Sequence, residues 1–156
     1  MPINPDFRDL FFEFNAAEAR YLIVGAHAVM HYSVPRYTRD LDVWVDPARD
    51  NAERVFQALA RFDAPLAGVS CEDFATPGTI VQIGVAPNRI DVLTDVEGVR
   101  FDAAWERRTS FLYGDTPVGL LHIDDLIASK LAAGRAQDLL DVEWLRKAKV
   151  RQLPEE

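Results

Sequence analysis

The chain has 156 residues, 49% of them apolar and 27% charged, a net charge of −8 and one cysteine. That length can bury a sizeable core, and the composition is that of a globular protein. Its acidity argues against duplex-DNA binding, which rests on neutralising phosphates; a lone cysteine excludes an internal disulfide; and no apolar run reaches the roughly 20 residues of a membrane-spanning helix.

The first ten residues, MPINPDFRDL, lack a basic segment followed by an apolar one, so no secretory signal is expected and the cytoplasm is the expected location. Residues 6–19 place Phe7, Leu10, Phe11 and Phe14 at helical spacing, which predicts an amphipathic helix. YLIVG, 21–25, is a short apolar run ending in glycine and predicts a buried strand; AHAVMHYS, 26–33, predicts a short helix. SVPRYT is a loop around Pro35, residues 40–46 form a strand, and Pro47 opens a helix over 47–62 with Val55, Phe56, Leu59 and Phe62 inward.

Residues 63–78, with Pro65, Gly68, Pro77 and Gly78, predict a loop with room for one short strand. The runs 79–87 and 88–96 meet at a Pro-Asn turn and predict a hairpin. A short helix follows at 101–107, then two short strands at 111–114 and 117–121 around a Gly-Asp turn. The tail predicts two helices, 123–133 and 135–148, separated or kinked at Gly134. The expected class is α+β, a small mixed sheet flanked by helices. The expected organisation is a single domain over 1–156, with its core at about 20–121 and a helical segment at about 122–149.

One strand carries the sharpest signal. In RDLDVWV, Asp40 and Asp42 lie two apart and share one face, while Leu41, Val43 and Val45 share the other. Two like charges side by side call for a shared proton, an arginine or a divalent cation, and Mg²⁺ is commonly held by one or two carboxylates plus substrate phosphates. Taken alone, the pattern also suits the solvated edge of an amphipathic strand. Upstream, a strand runs into Gly25-Ala26 at the start of a helix, which allows backbone to approach a phosphate or simply makes a tight turn. Downstream, Asp91 stands between Ile90 and Val92 in another strand, a position where aspartate is disfavoured unless it faces solvent or a ligand.

The ordered set resembles the nucleotidyltransferase superfamily with the DNA polymerase β-like fold. Its pattern is an apolar residue, glycine and Gly or Ser, then D-x-[DE], then a distant apolar-[DE]-apolar. Here these are VGA at 24–26, DLD at 40–42 after thirteen residues, and IDV at 90–92. Ala26 departs from the pattern and offers no hydroxyl to a phosphate. The tail DLIASKLAAGRAQDLLDVEWL resembles the K…R-x-x-D-x-x-D-L pattern of the abortive-infection and toxin–antitoxin branch, with Lys130, Arg135, Asp138 and Asp141 in those places.

The resemblance covers about residues 20–145. It implies that Asp40, Asp42 and Asp91 bind Mg²⁺ or Mn²⁺, as two ions, and form the catalytic centre. It also implies a nucleoside triphosphate substrate such as ATP, with Gly25, Ala26, Thr38, Arg39, Lys130, Arg135 and Asp138 toward the nucleotide. Arg135 suits a phosphate or an intrahelical pair with Asp138 equally. The acceptor stays open among a protein, a tRNA and a small molecule, as do an antitoxin partner and a homo-oligomer. The alternative is a catalytically silent nucleotide-binding module acting through a partner.

Other residues attract attention without carrying chemistry. His27 and His31 have a chelating spacing but no third ligand of the zinc kind. His122 reads as a local hydrogen-bonder, Cys71 lacks a histidine partner, and Trp44 reads as packed. The basic run Arg146, Lys147, Lys149 and Arg151 reads as a solvated helix end.

Overall fold

The computed structural model describes residues 3–33, 40–85 and 87–151. Helix α1 (Pro5–Ala16) opens on an Asn4 cap whose side chain accepts from the amides of Asp6 and Phe7, and buries Phe7, Leu10, Phe11 and Phe14. Strand β1 (Tyr21–Val24) runs straight into α2 (Gly25–Tyr32). Strand β2 (Asp40–Val45) leads to α3 (Arg49–Arg61). Asn51 locks that junction: it accepts from the Arg20 amide at 2.7 Å and donates to the carbonyls of Arg20 and Asp46 at 3.1 and 2.9 Å.

The segment 63–78 contains a 3-10 helix, Cys71–Ala75, rather than a strand. Ser70 and Asp73 close a reciprocal capping box there and Phe74 anchors the core, so side-chain caps win over β pairing. Strands β3 (Ile80–Ile83) and β4 (Arg89–Leu93) form the expected hairpin, with Ile83 opposite Ile90. Helix α4 (Phe101–Arg107) is followed by a second hairpin, β5 (Thr109–Tyr113) and β6 (Thr116–Leu120). Helices α5 (Ile123–Ala133) and α6 (Ala136–Arg151) end the described chain. Gly134 caps α5 in the left-handed conformation, φ 69°, and separates the two helices.

The six strands lie in the order β3-β4-β2-β1-β6-β5. The sheet is mixed: β1 is antiparallel to β2 but parallel to β6, and β2 is parallel to β4. Strand alternation divides β2 between two environments. Leu41, Val43 and Val45 are buried on one face, where Phe11 and Phe14 of α1 pack against Tyr21, the β1 partner of Val45. On the other face Trp44 packs edge-on against Phe101 of α4 at 5.0 Å, while Asp40 and Asp42, nearer the strand's start, stay partly exposed. Among the described residues no helix is long and apolar enough to cross a membrane.

Candidate active site

The parallel pairing of β2 with β4 decides how the carboxylates meet. Asp40 pairs with Arg89 and Asp42 with Asp91. Register partners on adjacent strands point to the same face, with backbones about 4.8 Å apart. Asp42 and Asp91 are therefore immediate neighbours, with Asp40 and Arg89 one pleat before them. Asp91 is largely buried, its side chain 12% exposed; Asp40 reaches solvent.

Gly25 fits against this face. Its φ of +67° is left-handed, and a Cβ there would overlap the Asp42 carboxylate. The glycine thus makes room for the carboxylate as well as turning the chain. Beyond it, α2 starts behind a Val24 N-cap that gives no side-chain hydrogen bond to the helix's first turn.

A cleft of about 440 Å³ lies between this face and α5–α6, lined by Gly25, Ala26, Asp42, Lys130, Asp138 and Asp141 among others. Lys130 projects from α5 and is held by two buried aspartates of α6. Its Nζ is 3.2 Å from Asp138 and 3.0 Å from Asp141, whose side chains are 3% and 0% exposed. Arg135 lies one residue before α6, so the expected pair with Asp138 forms across the helix start rather than within the helix, its Nε donating at 2.7 Å; Gln137 donates to Asp141 at 2.9 Å.

The electrostatics of Asp42 follow from this placement. Burial pushes its pKa up to about 6, and the neighbouring Asp91 and Asp40 add to the rise; Lys130 and Arg89 oppose it. A carboxylate that resists ionising beside two others favours a cation. The donor set is oxygen only, which suits Mg²⁺ or Mn²⁺ rather than zinc. Among the described residues, however, no three such side chains are gathered tightly enough to hold a metal ion as they stand. Arg89 stands among these carboxylates: it donates to both oxygens of Asp91 at 3.1 Å and lies 3.9 Å from Asp40.

The expected site residues divide by location. Gly25, Ala26, Asp42, Lys130, Arg135 and Asp138 line the cleft; Asp91 and Asp40 flank it on the sheet. Thr38 and Arg39 lie outside the described residues. Sequence reasoning gave no role in the site to Arg89, although an arginine two residues before Asp91 on a strand must share its face. It also left Asp141 out of the nucleotide set, and passed over Asp95 and Glu97 at the cleft rim.

His27 packs edge-on against Phe7 and His31 lies tilted against Phe111 at 4.6 Å, and burial lowers both pKa values. His122 is the cap of α5, accepting from the Asp124 amide at 3.1 Å.

Comparison with known proteins agrees with this architecture. A family model described as "Nucleotidyltransferase of unknown function (DUF6036)" matches residues 7–152. No curated protein sequence matches significantly. Among solved structures, the lincosamide antibiotic adenylyltransferase LnuA, lincomycin-bound, superposes with a TM-score of 0.58 at 11% identity, covering 95% of this chain and 99% of its own. "A putative nucleotidyltransferase (TM1012) from Thermotoga maritima" gives 0.58 at 14% identity, covering 97% of each. At such identities the likeness shows a shared fold, while the family match spans nearly the whole chain. The chain belongs to the DUF6036 nucleotidyltransferase family.

Proposed function

We propose that the protein transfers a nucleoside monophosphate from a nucleoside triphosphate to an acceptor hydroxyl, with Mg²⁺ or Mn²⁺ at Asp42 and Asp91 and with Asp40 contributing. The observation that carries this reading is the register pairing of Asp42 with Asp91 beside an uncapped helix start. Gly25 and Ala26 line the cleft at that helix start, where backbone amides suit phosphates. Lys130, fixed by Asp138 and Asp141, presents a positive charge toward Asp42 and the same phosphates. In the reaction a bond forms between the acceptor oxygen and the α-phosphorus. The bond from that phosphorus to the pyrophosphate oxygen breaks, and Asp91 helps to take the hydroxyl proton. The divalent cation supplies neutralisation of the triphosphate and of the charge that develops in transfer.

The acceptor belongs among proteins, RNA ends and small molecules, and an antitoxin or a second copy of the chain is the expected kind of protein partner. A second reading, a silent nucleotide-binding module, draws on the Arg89 fork over Asp91 and on Ala26 in place of Gly or Ser. A screen of labelled nucleoside triphosphates with Mg²⁺ or Mn²⁺ against the three acceptor classes separates the two. The transfer reading expects label on one acceptor with pyrophosphate released, and a fall of about 10² or more in the Asp42→Asn variant. Nucleotide binding without transfer to any acceptor would favour the silent module.

A further inference from the structure

The four side chains on the open face of β2 and β4 form a small array: three acids and one base. Asp40 and Asp42 stand on one strand, Arg89 and Asp91 on the next, joined in register. Arg89 uses Nε and a terminal nitrogen together, one on each oxygen of Asp91, both at 3.1 Å. This two-point grip occupies the oxygens that Asp91 would offer a divalent cation. Among the described residues the other cation acting on Asp42, Lys130, is engaged by Asp138 and Asp141. The Arg89 side chain is 36% exposed and the Asp91 side chain 12%, so the arginine can swing outward while the carboxylate stays.

We propose that Arg89 is the internal counter-ion of the carboxylate array and competes with the divalent cation for Asp91, so that cation binding requires the guanidinium to leave. This rests on the metal-dependent reading above and deepens it by naming what the cation displaces. Two physical points support it. A bidentate carboxylate already saturated by an arginine fork has no favourable edge left for Mg²⁺. Removing the arginine without supplying a cation leaves three acids facing one another. Arg89 is thus a positioning residue that stabilises the metal-free protein and sets the threshold for metal entry.

The test is a Mn²⁺ titration of the full chain, read by electron paramagnetic resonance of free Mn²⁺, for wild type, Arg89→Gln, Asp91→Asn and the double variant. The expected result is binding about tenfold or more tighter in Arg89→Gln, with a lower melting temperature before metal is added. Competition at Asp91 further requires that the gain vanish in the Asp91→Asn background, because both the shared ligand and the arginine's partner are then gone. A gain of equal size in that background would mean that Arg89 acts only through its distant charge, and would overturn the proposal. Unchanged or weaker binding in Arg89→Gln would also overturn it. If that variant does not fold, Arg89→Lys, which keeps the charge but loses the fork, is expected to bind Mn²⁺ tighter than wild type; equal affinity would overturn the proposal. Absence of Mn²⁺ binding at millimolar concentration in wild type and variants alike would instead overturn the metal-dependent reading itself.

Discussion

Two groups of aspartates face each other across the cleft, and they are treated in opposite ways. On α6, Asp138 and Asp141 are buried almost completely, yet each is met by donors: Lys130 and Arg135 at the first, Lys130 and Gln137 at the second. Burial pushes Asp138 upward, but the hydrogen bonds from Arg135 and Lys130 outweigh it and hold its pKa below the usual range. On the sheet, Asp42 is also buried, but its nearest charged neighbours on β2 and β4 include two further aspartates, and its pKa rises to about 6. One chemical group serves stability where its charge is answered from within the chain. On the proposed reading it serves ligand binding where the chain's own cations answer only part of the charge and a cation from outside answers the rest.

That contrast can be broken most severely on the α6 side. Lys130→Met removes the shared partner of two buried carboxylates, and its expected cost is about 3–5 kcal/mol, read from urea melts. A cost below 1 kcal/mol would show that Asp138 and Asp141 are satisfied without it. On the sheet side, Gly25→Ala forces a side chain into left-handed backbone and against the Asp42 carboxylate. A loss of about 2–3 kcal/mol is expected, partly recovered when Asp42 is also changed to Ala, because the overlap then disappears. No recovery in the double variant would leave backbone strain as the whole cause. The smallest effect is expected from Arg135→Ala. Arg135 is 79% exposed, and Asp138 keeps Lys130, so a loss on the order of 0.5–1 kcal/mol should appear in the same melts.

Much of this was legible in the sequence, for reasons that differ by element. The helices announced themselves through apolar spacing, as in Phe7, Leu10, Phe11 and Phe14, because burial of a stripe is a local property of the chain. The D-x-D alternation placed Asp40 and Asp42 on one face through the pleat alone. What the sequence did not contain was the strand order. Only the parallel pairing of β2 with β4 makes Asp42 and Asp91 neighbours, forty-nine positions apart, and sets Arg89 beside Asp40. In the segment 63–78 the loop was legible but its 3-10 helix was not, because that helix rests on a Ser70–Asp73 capping box and the buried Phe74 rather than on periodicity. Gly25 was read as a place for phosphate, and its contact with Asp42 could not be foreseen without the antiparallel register of β1 and β2, which sets Val24 opposite Asp42.

The central claim is that the carboxylate face is built for an external cation rather than for the fold, and Asp42→Asn tests it most directly. Because the folded-state pKa of Asp42, about 6, lies above the roughly 3.9 of an unfolded aspartate, the folded protein binds more protons between those values. Stability of the metal-free protein should therefore fall as pH rises from about 4 to about 6, and stay lower above that. Asp42→Asn removes this penalty. In urea melts without metal it should match wild type near pH 4 and exceed it at pH 8 by on the order of 2–3 kcal/mol. Adding Mg²⁺ and a nucleoside triphosphate at 100 times the dissociation constant should then stabilise wild type by about 2.7 kcal/mol and leave the variant nearly unmoved. A metal-free variant destabilised by about 1–3 kcal/mol at pH 8, as loss of an anchoring hydrogen-bond acceptor would give, with the nucleotide response intact, would contradict the account.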